Sequence, residues 1–233
     1  MTKFELPPDE EEQGGETQQA IEHMGVPQIP VPPATSPIHC LTIVGQIEGH
    51  MVLPPQTKAT RYEHILPMLI AIEQNPDIKG FIVLLNTVGG DVEAGLAIAE
   101  MISGMSKPSV SLVLGGGHSI GVPLAVSCRK SFIAPTATMT IHPIRLTGLV
   151  IGVSQTYDYL NRMQERVISF VERNSQIDRE RFQHLMLQTG ELAQDIGTIL
   201  VGDEAVECGL IGGVGTLTDA LHALEGMIEE EKA

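Results

Sequence analysis

The segment Gly117-His118-Ser119-Ile120-Gly121 sets a serine between two glycines where an apolar run gives way to a helical pattern. That G-x-S-x-G spacing is the strained elbow that exposes a nucleophilic hydroxyl. The blander reading is a serine capping a helix, yet the run Gly115-Gly116-Gly117 gives steric room that a cap does not require. A serine hydroxyl attacks at neutral pH only when an imidazole takes its proton, and a carboxylate usually orients that imidazole. Of the eight histidines, His142 stands out, because it follows the β-type run Met139-Thr140-Ile141 and precedes Pro143. Strand ends are where α/β folds place functional side chains; a core or turn histidine is the alternative. His118 adjoins the serine, but neighbouring positions point in different directions. His222, on a helical C-terminal stretch, is a secondary candidate for the base.

A second glycine turn, Asn86-Thr87-Val88-Gly89-Gly90-Asp91, also leads from an apolar run into a helix. Adjacent glycines there let the backbone approach a ligand, and a helix N-terminus offers N–H groups to developing negative charge, although many such turns use glycine for geometry alone. Ile120 occupies the place of the last glycine of G-x-G-x-x-G, so no dinucleotide cofactor is expected. No metal-ligand spacing or other cofactor motif stands out.

Elements must hold these turns in place, and the hydropathy pattern supplies them. Strands are expected at His39–Val44, Gly80–Leu85, Ser109–Leu114, Ser131–Ile133 and Thr138–Ile141, and helices at Arg61–Glu73, Asp91–Ser103, Ile120–Cys128 and Tyr157–Asn174. Continuous Val/Ile/Leu runs alternating with helices imply an α/β fold whose parallel strands are covered on both faces.

Composition sets the outer bounds. The 233 residues carry a formal charge of −15, with 42% hydrophobic and 18% charged residues, which fits a globular body. Such an acidic surface argues against nucleic acid and anionic lipid as partners. The sequence has no apolar run of membrane-spanning length and no signal peptide at its N-terminus, so a cytoplasmic protein is expected. Residues 1–37 hold seven of the fifteen prolines and a net charge of −6, and read as a flexible acidic arm. Residues 38–224 form the domain, and 225–233 read as a short helix end or acidic tail of net charge −3. The three cysteines, Cys40, Cys128 and Cys208, are expected to be buried and reduced.

Taken in order, VGGDVEAGLAIAE, LGGGHSIGVPLAVSC, MTIHPIRLTGL and the downstream Glu204-Ala205-Val206-Glu207-x-Gly209-Leu210 resemble the ClpP-type serine peptidases of the ClpP/crotonase superfamily, over about Cys40 to Leu224. The resemblance implies a fold of repeated ββα units with a long handle helix, here Tyr157–Asn174, and a homo-oligomer built of rings. It assigns Ser119 as nucleophile, His142 as general base, and the backbone N–H groups of Gly90 and Ile120 as the oxyanion hole. Gly197 falls where the family has its aspartate, so Asp195, two residues earlier, becomes the candidate third member, with Asp203 or solvent as alternatives. His118 stands where the family has alanine and Val88 where it has proline. The acidic arm replaces the hairpins with which the family meets its ATPase unfoldase, which leaves an ATPase partner open.

The expected function is therefore hydrolysis of peptide or protein substrates through an acyl-enzyme. The likeness leans to a branch of the family associated with protein translocation, which adds export as a setting. Three alternatives remain: a weakly active or non-catalytic adaptor in protein export, an α/β-hydrolase esterase using Ser119, an Asp and His222, and a crotonase-like thioester enzyme, against which the Ser119/His142 pair speaks.

Overall fold

A computed structural model of the protein describes residues 36–146, 152–190 and 196–231. The apolar runs form a parallel sheet. Its strands are β1 (Ile38–Glu48), β2 (Ala59–Arg61), β3 (Gly80–Gly90), β4 (Ser109–Gly117), β5 (Lys130–Ile133) and β8 (Gly213–Val214), in the spatial order β2-β1-β3-β4-β5-β8. Two more strands, β6 (Thr138–Ile141) and β7 (Thr198–Val201), pair antiparallel with each other, and β6 joins β4 through Gly116 and Thr138.

Helices α1 (Tyr62–Gln74), α2 (Val92–Ser103), α3 (Gly121–Val126), α4 (Val153–Asn174), α5 (Arg179–Leu187) and α6 (Asp203–Glu207) precede the C-terminal α7 (Leu217–Glu230). Apolar positions at helical spacing explain the packing of α1, which buries Ile65, Leu69 and Ile72 in one cluster with Phe81, Val83 and Leu85 of β3. Asp91 caps α2 by accepting from the Ala94 N–H at 2.8 Å.

Both strands that lead into the site run further than the apolar pattern suggests. β3 continues through Gly89 and Gly90, which pair with Gln46 and Ile47 of β1, and β4 continues to Gly117, opposite Thr87. Glycine bonds into a ladder like any residue, so these turns sit at the very end of the sheet.

The expectation of strands covered on both faces holds in part. One face carries the main cluster. On the other, α7 covers Ile82, Val110 and Leu112 with Leu224, Met227 and Ile228, while Val88 and Leu114 further along the same face are exposed. Cys40, paired with Ile82 on that face, is exposed as well. Cys128 alone of the three cysteines is fully buried, and burial pushes its thiol up to about 12.

Candidate active site

Ser119 sits between β4 and α3, and among the described residues it is the non-glycine residue with left-handed backbone, φ +56°. Such a conformation costs a β-carbon-bearing residue of order 1–3 kcal/mol and persists where its surroundings over-determine it. They do so here. The Ser119 N–H donates to the Thr140 carbonyl at 2.9 Å, and the Ser119 carbonyl accepts from the Val122 N–H at 3.0 Å. Gly89, at φ +88°, closes the other side; a β-carbon there would lie 2.7 Å from that of Ser119. Gly90 is equally constrained, because a β-carbon on it would lie 2.2 Å from the Ile47 carbonyl oxygen.

His142 follows the last residue of β6, and its Nδ1 lies 2.7 Å from the Pro143 carbonyl oxygen. A carbonyl only accepts, so Nδ1 carries the hydrogen of that bond, and Nε2 is the unprotonated nitrogen of the neutral ring. Ser119, His142, Gly90 and Ile120 line one cavity of about 130 Å³. Its other walls are mostly apolar, with Val92 and Val122 from α2 and α3 and Phe182 and Met186 from α5, and Arg145 adds a charge.

His118 is half-buried next to the serine, with Nδ1 at 2.9 Å from the Thr140 hydroxyl. Burial holds its imidazole below the ordinary value, and the nearby His142 lowers it further.

A profile of the Clp protease family matches residues 36–218. The chain belongs to that family. It is 59% identical over 212 residues, 91% of this chain and 82% of the relative, to the translocation-enhancing protein TepA of Halalkalibacterium halodurans. It is also 27% identical to the ATP-dependent Clp protease proteolytic subunit 1 of Chlamydia trachomatis, over 69% of this chain and 82% of that one. The corresponding subunit of Streptococcus agalactiae matches over 46% of this chain and 52% of its own length, at 29% identity.

Within this Clp protease fold, the predicted site residues Ser119, His142, Gly90 and Ile120 come together on one cavity. Gly197 comes against the Ile141 carbonyl and the Cα and Cβ of His142. It has φ +135°, and a β-carbon on it would lie 2.3 Å from the Ile141 carbonyl oxygen and 2.9 Å from the His142 β-carbon. A carboxylate at that position has no room to form. Asp195 lies outside the described residues, while Asp203 begins α6. His222 is exposed on α7, the helix that packs on the opposite face of the sheet, which removes the esterase arrangement of Ser119 with His222. Among the described residues no cluster of His, Cys, Asp or Glu has the geometry of a metal site, and no helix is long and apolar enough to cross a membrane.

Sequence reasoning missed Thr140, Pro143, Phe182 and Met186. The first two lie inside the very motif that identified His142, but Thr140 acts through tertiary contacts with His118 and Ser119, and Pro143 through a carbonyl whose direction the sequence does not reveal. The other two sit on α5, whose mixed sequence RERFQHLML gives little helical signal.

Proposed function

We propose that this chain is a serine-type endopeptidase in which Ser119 is the nucleophile, His142 the general base and Asp195 the third member. The observation that carries the reading is the left-handed Ser119 at the β4–α3 elbow, on the same cavity as His142. Ser119 Oγ attacks the peptide carbonyl carbon and its proton passes to His142 Nε2. The Gly90 and Ile120 N–H groups donate to the oxyanion, about 3–4 kcal/mol for each donor. His142 then protonates the leaving amine as the C–N bond breaks, and it deprotonates the water that releases the acyl group. Asp195 stabilises the imidazolium that forms in each half-reaction.

The substrate is a peptide or protein, and the working form is a homo-oligomer of rings in the cytoplasm. The first three turns of α4, exposed at Val153, Tyr157 and Tyr159, support the handle role in that assembly. Residues 38–224 act as the peptidase domain, 1–37 as an acidic arm and 225–233 as a tail. The similarity to a protein named for enhancing translocation favours export as the setting.

Alkyl fluorophosphonate labelling read by intact mass tests the chemistry. Wild type is expected to gain one adduct, and Ser119→Ala and His142→Ala to lose it. Gly197 pressed against His142 favours a second reading, a slow enzyme or a non-catalytic adaptor in export. A folded, oligomeric wild type that takes no label selects the adaptor.

A further inference from the structure

His118 has no part in the reaction as derived, yet it is bound from several sides. Its backbone N–H donates to the Thr87 carbonyl at 3.2 Å, and its carbonyl accepts from the Gly121 N–H at 2.8 Å. Its ring lies over Gly116, where a β-carbon would come within 2.6 Å of Nε2. Nδ1 reaches the Thr140 hydroxyl at 2.9 Å, and the carbonyl of the same Thr140 holds the Ser119 N–H. Thr140 is two residues before His142 on β6, a strand that meets β4 through the single pair Gly116 and Thr138. Backbone pairing between the serine's strand and the histidine's strand is therefore thin at this end of the sheet, and the contacts through Thr140 supplement it.

We propose that His118 is a positioning residue: its imidazole, bonded to the Thr140 hydroxyl, ties the elbow that carries Ser119 to the strand that carries His142 and fixes the distance between nucleophile and base. The inference rests on Ser119 and His142 being the reacting pair. A hydroxyl both donates and accepts, so the tie forms with either tautomer of the His118 ring. Among the described residues His142 is a titratable neighbour of His118 in the site, and Arg145 lines the same cavity as His142. A misplacement of about 1 Å between reacting groups costs on the order of 10²-fold in rate, which makes such a tie worth a residue.

The test is the rate of labelling by an alkyl fluorophosphonate, in which the Ser119 Oγ–P bond forms, the P–F bond breaks, fluoride leaves and the hydroxyl proton passes to His142. Saturation kinetics separate the maximal labelling rate from the half-saturating concentration. His118→Leu and Thr140→Val remove the two ends of the tie, while His118→Asn and Thr140→Ser keep a polar atom at each end. The first two are expected to lower the maximal rate by about 10–100-fold with the half-saturating concentration unchanged. The double variant is expected to be no slower than the worse single one, because either change breaks the same bond. The conservative pair is expected to recover most of the rate, with unchanged circular dichroism throughout. Wild-type rates in His118→Leu, or Asn and Ser variants as slow as Leu and Val, overturn the tie while leaving the Ser119/His142 reading standing. A wild type that takes no label overturns both.

Discussion

Ser119 keeps its left-handed backbone because its neighbour across the turn has no side chain. Gly89→Ala puts a β-carbon 2.7 Å from the Ser119 β-carbon at a φ of +88°. The expected outcome is a loss of roughly 1–3 kcal/mol in stability together with most of the fluorophosphonate labelling. Gly226 is the contrast, a glycine within α7 with open space around its α-carbon. Gly226→Ala is expected to stabilise by about 0.5–1 kcal/mol with labelling untouched, since it removes only unfolded-state freedom. Denaturant melts of the two variants decide this, and equal effects would sink the argument. The imidazoles of His118 and His39 are both held low by burial. In the unfolded chain they titrate near 6.5, so below that pH the unfolded state binds protons that the folded state refuses. Their stabilisation is complete above about pH 6.5 and is lost as pH falls through that value towards the depressed folded ones. The melting temperature is expected to drop between about pH 7 and pH 5.5, with a flatter curve for His39→Asn. A wild-type curve level across that window would contradict the burial of these rings.

Helix α4 is fastened to α2 by ion pairs two turns apart on both helices: Arg166 with Glu93, bidentate at 2.5 and 2.8 Å, and Arg173 with Glu100 at 2.9 Å. All four side chains are about half exposed, and each pair is expected to contribute below about 1 kcal/mol. A double-mutant cycle on Glu93 and Arg166 is expected to give a small coupling that shrinks further in 0.5 M salt. A coupling of several kcal/mol, insensitive to salt, would mean the pair is far drier than its exposure indicates. The apolar grip of Met163, Val167 and Phe170 on the body carries the rest. At this scale the elements were unevenly legible. β3 and β4 announce themselves through GFIVLL and SVSLVL, since strands buried on both faces need no alternation. Their extension through the glycines was hidden, because pairing partners and not side chains decide it. The short β2, β7 and β8 carry no periodic signal, and α5 is polar at most positions, so the apolar wall built by Phe182 and Met186 could not be placed. Ser119 and His142 were legible because motif spacing marks them. The contact of Gly197 with His142, 55 residues away in sequence, exists only once β6 and β7 pair.

On the scale of the whole molecule, several large apolar side chains lie exposed. Val153 is 79% exposed and Tyr157 65%, on a stretch of α4 that stands clear of the core. Val88 and Leu114 lie bare on the sheet face beyond α7, and Ile199 and Val201 on β7 are exposed too. Exposed apolar positions grouped in this way mark surfaces that other chains cover, and a closed ring of identical copies covers two distinct patches on each of its members. Light scattering of the full chain is therefore expected to give a mass that is a multiple of 25.1 kDa. Tyr157→Asp, which buries a charge wherever copies meet through α4, is expected to reduce that mass. Leu114→Asp is expected to do so through the other patch, and the two variants should stop at different intermediate sizes if α4 and the sheet face serve different contacts. Circular dichroism should remain that of wild type, since both side chains point away from the core. A monomeric wild type, or unchanged masses in both variants, would show that these patches do not join copies of the chain.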